Sequence, residues 1–193
     1  MFIAWRRVRP VLALALALLA PGSCKLPARG VPAGRYEKDG LSFEYLSGWT
    51  VAKDTQNKAR IVVVDGPEHA VLTISVFKSN VDIPLETFAS NVAEKRSEGV
   101  KKRLTVGGVN LGGEDEPMPL APRERSIAGT RVRGVEQQTI VKVVGVPMSH
   151  TMQHFITHLA GHTVILMDQV ADKDRSKVDA GIQKIFDTVA LGP

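Results

Sequence analysis

The sequence has one cysteine, two tryptophans and two tyrosines among its 193 residues. A single cysteine cannot form an intramolecular disulfide, so the chain is not a small disulfide-stapled scaffold. With 44% hydrophobic and 23% charged residues, the composition is neither collagen-like nor that of a wholly disordered chain. The length therefore suits one globular domain with its own core.

The chain also lacks a hydrophobic run near its start that is long enough to cross a bilayer. The apolar run from Val11 to Ala20 has ten residues, whereas a transmembrane helix needs about 20. Small residues follow the run, and three arginines precede it, at Arg6, Arg7 and Arg9. This order predicts a secretory signal peptide over residues 1–23.

The basic character of the chain belongs partly to that segment. The chain has 25 Lys and Arg against 20 Asp and Glu, and removing the three arginines of residues 1–23 leaves 22 against 20, a net charge of +2. A charge of this size does not indicate nucleic-acid binding, and we predict no nucleic-acid partner.

The cysteine, Cys24, lies where a lipid could be attached. The sequence from Leu19 to Cys24 resembles the lipobox of bacterial lipoproteins, with small residues before the cysteine and Pro21 where an aliphatic residue is usual. The resemblance implies a diacylglyceryl group on Cys24, acyl chains such as palmitate, and attachment to the membrane facing the periplasm. Lys25 favours outer-membrane sorting by the same resemblance. The alternative is ordinary cleavage, which would leave a soluble periplasmic protein with a free thiol.

Proline and glycine dominate the next segment, so we expect residues 24–35 to form a tether without helix or strand. A single domain over residues 36–193 follows. Alternating apolar residues predict strands in its first half at Leu41 to Tyr45, Trp49 to Asp54, Ile61 to Val64 and Val71 to Phe77. A second group is predicted at Ser126 to Val132, Val135 to Val144, Met148 to His158 and Thr163 to Gln169.

Two helices accompany these strands. Apolar residues at helical spacing predict one over residues 84–98, ending at Gly99, and another that begins at Asp172. The glycine- and proline-rich stretch from Gly107 to Pro122 is expected to be a long exposed loop. Hairpin-spaced strands with two amphipathic helices define an α+β domain built on an antiparallel sheet.

The segment from Phe43 to Trp49 resembles the F-x-Y-P-x-G-W entry of PsbP-like and DcrB-related proteins, with Leu46 in place of the proline. Its motif residues are Phe43, Tyr45, Gly48 and Trp49. The resemblance extends over residues 36–191 and implies an α/β/α sandwich used mainly for binding, in families that include envelope lipoproteins. It carries no catalytic residue over to this chain.

Four of the five histidines recur at intervals of four, at His150, His154, His158 and His162. On a helix such a pattern would suit zinc. In a strand, which we predict here, a four-residue step is about 13 Å, too long for two ligands of one ion. Only His158 and His162, which we expect to face each other across a turn, could then share a metal. A periplasmic metal-binding protein is therefore the alternative function, and a polar strand surface is the other interpretation of the pattern.

Four arginines flank the Ala128-Gly129 step, at Arg123, Arg125, Arg131 and Arg133. They could meet anionic headgroups or an acidic partner, or they could simply solvate an edge strand. The acidic runs Glu114 to Glu116 and Asp172 to Asp174 lack calcium-loop spacing and are interpreted as loop solvation and helix capping.

We find no recognised catalytic motif in the sequence. The predicted function is therefore that of an exported envelope lipoprotein with a non-catalytic binding or assembly domain. It needs no cofactor apart from the covalent lipid on Cys24, and an envelope protein is its expected partner. A small hydrolase with its site in the stretch from Gly107 to Pro122 is a further alternative.

Overall fold

A computed structural model describes residues 32–103, 105–106, 109–110, 114–143 and 146–192. Within these residues two helices, α1 (Leu85–Arg103) and α2 (Arg175–Thr188), interrupt a series of strands. The strands before α1 are β1 (Pro32–Lys38), β2 (Leu41–Leu46), β3 (Thr50–Gln56), β4 (Ala59–Asp65) and β5 (Val71–Phe77). Those after it are β6 (Thr105–Val106), β7 (Val109–Asn110), β8 (Glu114–Pro117), β9 (Ala121–Ile127), β10 (Thr130–Val143), β11 (Val146–Leu159), β12 (His162–Ala171) and β13 (Ala190–Leu191).

All described strand pairs are antiparallel. The main sheet has the order β3-β4-β5-β12-β11-β10-β8, and β9 also pairs with β10. A smaller sheet has the order β1-β2-β13, and β6 pairs with β7. The predicted antiparallel sheet with two helices is confirmed, and the sheets dominate the architecture.

The helices contact different faces of the main sheet. The ring of Phe88 in α1 lies edge-on to His154, with centroids 5.9 Å apart, while Phe186 in α2 lies edge-on to Phe155 at 5.6 Å. Successive residues of a strand point to opposite faces, so α1 and α2 approach the sheet from opposite sides. The largest apolar cluster lies on the α2 side, where Leu41, Phe43, Trp49, Leu72, Ile74, Phe155, Leu166, Ile182, Ile185 and Phe186 are buried.

The two ends of the main sheet carry different parts of the chain. At one, the proximal end, Pro32 pairs with Leu46, whose carbonyl accepts a hydrogen bond from the Trp49 amide. One row of paired residues crosses the main sheet at this end, through Thr50, Asp65, Val71, Gln169 and Met152. At the other, the distal end, lie the turns at Asp39-Gly40, Ala128-Gly129 and Ala160-Gly161. The chain therefore enters the domain at the proximal end.

Several predicted boundaries are wrong, for local reasons. Helix α1 continues through Gly99 to Arg103, because a glycine inside a helix costs only about 1 kcal/mol relative to alanine. No atom would lie within 4 Å of a Cβ atom added at Gly99. The predicted strand over residues 126–132 is instead a hairpin that turns at Ala128 and Gly129, which both have positive φ (49° and 77°). Strand β1 begins at Pro32, within the predicted tether.

The acidic runs also differ from expectation. Glu114 to Pro117 is not a loop but strand β8, and it pairs with β10. A short 3-10 turn, Asp172–Asp174, precedes α2, and Asp174 lies at the N-cap without a capping hydrogen bond from its side chain. Its carboxylate instead accepts a hydrogen bond from Lys177 at 2.7 Å.

Candidate functional site

The β9-β10 hairpin carries the predicted arginines, and the fold separates them into two groups. Arg131 and Arg133 lie on β10, where alternation places them on the same face. Their side chains are 82% and 92% exposed, and both reach the carboxylate of Glu124. The Arg131 Nε atom lies 2.6 Å from it and the Arg133 Nε atom 3.5 Å. Two cations thus share one carboxylate at the distal end of the sheet.

Arg123 and Arg125 lie on β9 and face the other side. Arg123 is half exposed, and its Nε atom lies 3.6 Å from Glu136. Arg125 is buried beneath α2, where its guanidinium donates to Gln153 at 2.8 Å, to Gln183 at 3.1 Å and to Asp179. It also stacks over Phe186, with its Cζ atom 6.0 Å from the ring centroid. Arg125 therefore holds α2 to the sheet and is not part of an exposed arginine surface.

A second buried polar group, Asp168, lies close to Arg125 on the same face. Its side chain is fully buried, Oδ1 accepts a hydrogen bond from Arg175 at 2.6 Å, and Oδ2 has no hydrogen-bond partner. Burial raises the pKa of Asp168 to about 6, although Arg175 and Arg125 partly oppose that effect. The carboxyl can hold a proton near neutral pH, but it is enclosed and a solute in water does not reach it.

Sequence reasoning missed Asp168, although one signal was available. Asp168 follows directly on the apolar residues Val164 to Met167 of strand β12, which is covered on both faces. A carboxylate in such a strand must find a cation, because an unpaired buried charge is costly. The cation comes from α2, at Arg175.

The structure does not bring the histidines together. His158 and His162 lie on neighbouring strands, but His158 pairs with Thr163 and His162 with Leu159, so their side chains point to opposite faces. The Nδ1 atom of His158 lies 3.4 Å from Thr163 Oγ1, and that of His162 lies 2.8 Å from the Phe77 carbonyl oxygen. The expected arrangement in which the two rings face each other is therefore not present.

The other two histidines lie farther along β11. His150 is half-buried, with Nδ1 3.3 Å from the Met148 carbonyl oxygen. His154 is fully buried against Phe88, and neither ring nitrogen has a hydrogen-bond partner. Burial lowers the pKa of His154 to about 4, so the ring is neutral at physiological pH. In the described part of the chain, no group of three or more His, Cys, Asp or Glu residues could hold a metal ion.

The motif residues lie on the α2 side, with Gly48 and Trp49 at the proximal end and Phe43 nearer the distal end of β2. Phe43 stacks on Tyr36 with ring centroids 4.9 Å apart, and Tyr45 lies tilted to Phe43 at 6.3 Å. Gly48 has a φ of 85°, a conformation that favours glycine. Trp49 is buried against Gly181 of α2, where a Cβ atom would lie 2.3 Å from the indole nitrogen. Gly181 thus has a packing role that the sequence pattern did not indicate.

A cavity of about 250 Å³ opens at the distal end between the Asp39-Gly40 turn and His162. Arg60 lines this cavity and is buried, and its hydrogen-bond donors all have partners. The guanidinium donates to Asp54, to the Tyr36 hydroxyl and to the carbonyl oxygens of Lys38 and Asp39. These bonds engage all its N–H groups, so Arg60 fastens the β1-β2 hairpin to the main sheet.

Cys24, the predicted signal peptide and most of the predicted tether lie outside the described residues, as do Gly107, Gly108, Gly112 and Gly113 of the predicted loop. In the portion that the structure describes, neither helix has the length and apolar character to cross a membrane.

No protein-family model and no curated protein matches the chain. Among solved structures it is similar to cyanobacterial PsbP (CyanoP) from Synechocystis, at 16% identity and a TM-score of 0.46, over 91% of this chain and 99% of that one. It is also similar to a protein from Bacteroides thetaiotaomicron, at 13% identity and a TM-score of 0.48, over 84% of this chain and 50% of that one. LpqN from Mycobacterium tuberculosis, described as involved in cell envelope biogenesis, is similar at 11% identity and a TM-score of 0.39, over 79% and 83% of the two chains. The resemblance to PsbP-like and DcrB-related proteins stays a prediction from the sequence.

Proposed function

We propose that this chain is an exported envelope lipoprotein whose domain is a non-catalytic binding or assembly module. The observation that carries the proposal is the exposed pair Arg131 and Arg133 at the distal end, opposite the end at which the chain enters the domain. A tethered domain with this layout presents its cations away from the membrane that anchors it.

The anchor is the sequence-based half of the proposal. A cysteine that carries two or three acyl chains stays in the membrane, since each buried methylene contributes about 0.8 kcal/mol. Residues 25–31 connect Cys24 to Pro32, where strand β1 begins. The tether is therefore shorter than predicted, and at about 3.5 Å per residue it spans at most about 25 Å. Outer-membrane placement, from Lys25, is part of the same proposal.

The distal arginines are the structure-based half. Because two guanidinium groups share the single carboxylate of Glu124, the hairpin presents a net positive surface. Such a surface suits an acidic protein partner, and rim charges of this kind steer association. Its distance from the tether favours an envelope protein over the headgroups of the anchoring membrane. The α/β/α sandwich is included in the proposal, supported by helices that contact opposite faces of the sheet.

The anchor is tested by the intact mass of the protein recovered from cell envelopes, beside a Cys24→Ala variant. We expect a mass that begins at Cys24 and includes acyl chains, in the membrane fraction, and its loss in the variant. An unmodified protein in the soluble fraction would contradict the anchor and leave a soluble periplasmic binding protein.

The binding surface is tested by photo-crosslinking in intact cells. A photoreactive residue at Ser126, which is exposed and pairs with Arg131, samples the surface while both arginines stay in place. We expect a discrete adduct with an envelope protein that disappears when Arg131→Glu and Arg133→Glu are added. A photoreactive residue at exposed Lys58 is the matched control. Absence of a discrete adduct at Ser126, or one that survives the charge reversals, would refute the assignment of this surface.

A further inference from the structure

The distal cavity of about 250 Å³ opens between the smaller sheet and the main sheet. Its walls come from the β1-β2 turn, the ends of β3 and β5, the start of β12 and strand β13. Arg60 pairs with both Gln56 and Val76, so these three side chains share one face of the main sheet, the face that carries the largest apolar cluster. The cavity is therefore an extension of the core that is open to solvent.

The inner wall of the cavity is apolar. Leu41 is fully buried and Val76 is 9% exposed. Leu191, of strand β13, is partly buried against the same cluster. The smaller sheet supplies Leu41 and Leu191, and the main sheet supplies Val76. A ligand with an apolar part would remove that part from water by lying against this wall.

Three polar side chains at the cavity are available to a ligand. Lys78 is exposed, and its ammonium group forms no hydrogen bond or ion pair with any described residue. The amide of Gln56, also exposed, has no side-chain partner in the same ranges. His162 donates from Nδ1 to the Phe77 carbonyl oxygen at 2.8 Å, and its Nε2 atom has no partner among the residues that the structure describes.

The other charges at this cavity are already balanced. Arg60 forms ion pairs with Asp54 at 3.1 Å and with Asp39 at 3.8 Å. Lys38 pairs with the same Asp54 carboxylate at 2.8 Å. Two cations thus match two carboxylates, and Lys78 keeps an unmatched charge among the described residues that line the cavity. One ligand carboxylate would pair with it, whereas a second negative charge would be repelled by Asp39.

The volume limits the size of the ligand. A water molecule takes up about 30 Å³ in the liquid, so a cavity of about 250 Å³ has room for about eight non-hydrogen atoms. An inorganic anion would leave the apolar wall without a partner. A short organic acid fills the space and meets both kinds of lining, as small-molecule sites with apolar walls and a few polar groups do.

We propose that the distal cavity binds a small organic acid with a single carboxylate and an apolar chain. The carboxylate lies at the rim, where it pairs with the ammonium of Lys78 and accepts a hydrogen bond from the amide of Gln56. The chain lies against the wall formed by Leu41, Val76 and Leu191. This site goes beyond the proposed function and depends neither on the lipid anchor nor on the distal arginines.

The test follows the binding of hexanoate, which has eight non-hydrogen atoms, by two-dimensional ¹H–¹⁵N NMR of the processed chain from residue 24 with Cys24→Ala. We expect saturable shifts of the amide signals of Gly40, Val76 and His162, with a Kd of about 1 mM or below. Acetate has the carboxylate without the chain and should bind about tenfold more weakly or worse. Hexylammonium has the chain with the opposite charge and should give no saturable shifts, and inorganic phosphate should bind more weakly than hexanoate.

A pair of charge reversals tests the position of the carboxylate. Lys78→Glu should weaken hexanoate binding by about fivefold or more. Lys58→Glu is the matched control, because Lys58 is an exposed lysine of the β3-β4 turn that does not line the cavity, and it should leave binding unchanged. The amide spectrum of each variant shows whether it is folded.

Four results would overturn the proposal. They are the absence of saturable hexanoate shifts at the lining residues, equal binding of hexylammonium, tighter binding of phosphate, and equal weakening by the two charge reversals. The series of ligands on the parent chain decides the question even if a variant does not fold. Failure here leaves the mass test of Cys24 and the crosslinking test of the distal arginines intact, so the proposals are refuted by different results.

Discussion

Two buried titratable groups should give this protein opposing pH dependences that nearly cancel. Asp168 has a pKa raised by burial to about 6, against about 3.9 in an unfolded chain. The folded state therefore binds the proton more tightly, and its free energy of unfolding falls as pH rises from about 4 to about 6. The shift corresponds to about 3 kcal/mol.

His154 acts in the opposite direction. Burial lowers its pKa to about 4, against about 6.5 in an unfolded chain, so the unfolded state binds the proton more tightly. Stability is lost as pH falls through this interval and regained as pH rises, again by about 3 kcal/mol. Because the two intervals overlap, the contributions of Asp168 and His154 should largely offset each other in the wild-type protein.

Single substitutions separate the two contributions. Asp168→Asn keeps an oxygen for Arg175 and removes the titration, so its stability relative to wild type should rise with pH between about 4 and about 6. His154→Leu removes a ring with two unpartnered nitrogens, so this variant should be more stable than wild type at about pH 4. The difference in stability should then decrease as the pH rises over the same range. Urea unfolding followed by far-UV circular dichroism at several pH values from about 4 to about 7 measures both.

The exposed Asp187→Asn variant is the control and should parallel wild type. The reasoning is refuted if the Asp168 and His154 variants show the same pH slope as wild type. Slopes of equal sign in the two variants would be just as damaging, because burial must shift an acid and a base in opposite directions.

Two further comparisons test the packing beneath α2. Gly181→Ala should destabilise the protein by about 1–3 kcal/mol, because its Cβ would meet Trp49 at 2.3 Å. Gly99→Ala, with open space around it, should stabilise the protein by up to about 1 kcal/mol. Thermal unfolding measures both variants, and equal effects would contradict the contact between Gly181 and Trp49. Arg125→Ala should cost about 2 kcal/mol or more by leaving Gln153 and Asp179 without their donor, while Arg133→Ala, on a side chain that is 92% exposed, should stay within about 0.5 kcal/mol. Similar losses for the two arginine variants in urea unfolding would show that burial does not distinguish them.

Much of the fold could be predicted because it depends on local periodicity. The alternation in Val71 to Phe77 is strand β5 with the predicted bounds, and the helical stripe from Val178 to Phe186 is the buried side of α2. The boundaries of helices and strands were less predictable where a residue adopts a conformation that its residue type disfavours. Gly99 is tolerated inside a helix, and Ala128 adopts a positive φ that its residue type disfavours.

The candidate sites were less predictable, because strand alternation shows which residues share a face but not what covers that face. Arg123 and Arg125 alternate identically on β9, yet α2 covers only Arg125. His158 and His162 are close along the chain, yet the register of the turn directs them to opposite faces.

The sequence by itself determined the local conformations, the order of strands and helices along the chain, and the segment around Cys24 on which the predicted export and anchoring depend. These follow from residue types and spacings over a few neighbours. The tertiary structure alone decided which charges are buried, which arginines reach solvent, and at which end of the sheet strand β1 begins. The burial of charges and the exposure of arginines arise when elements far apart in sequence, such as β9 and α2, pack together and exclude water from one face of a strand.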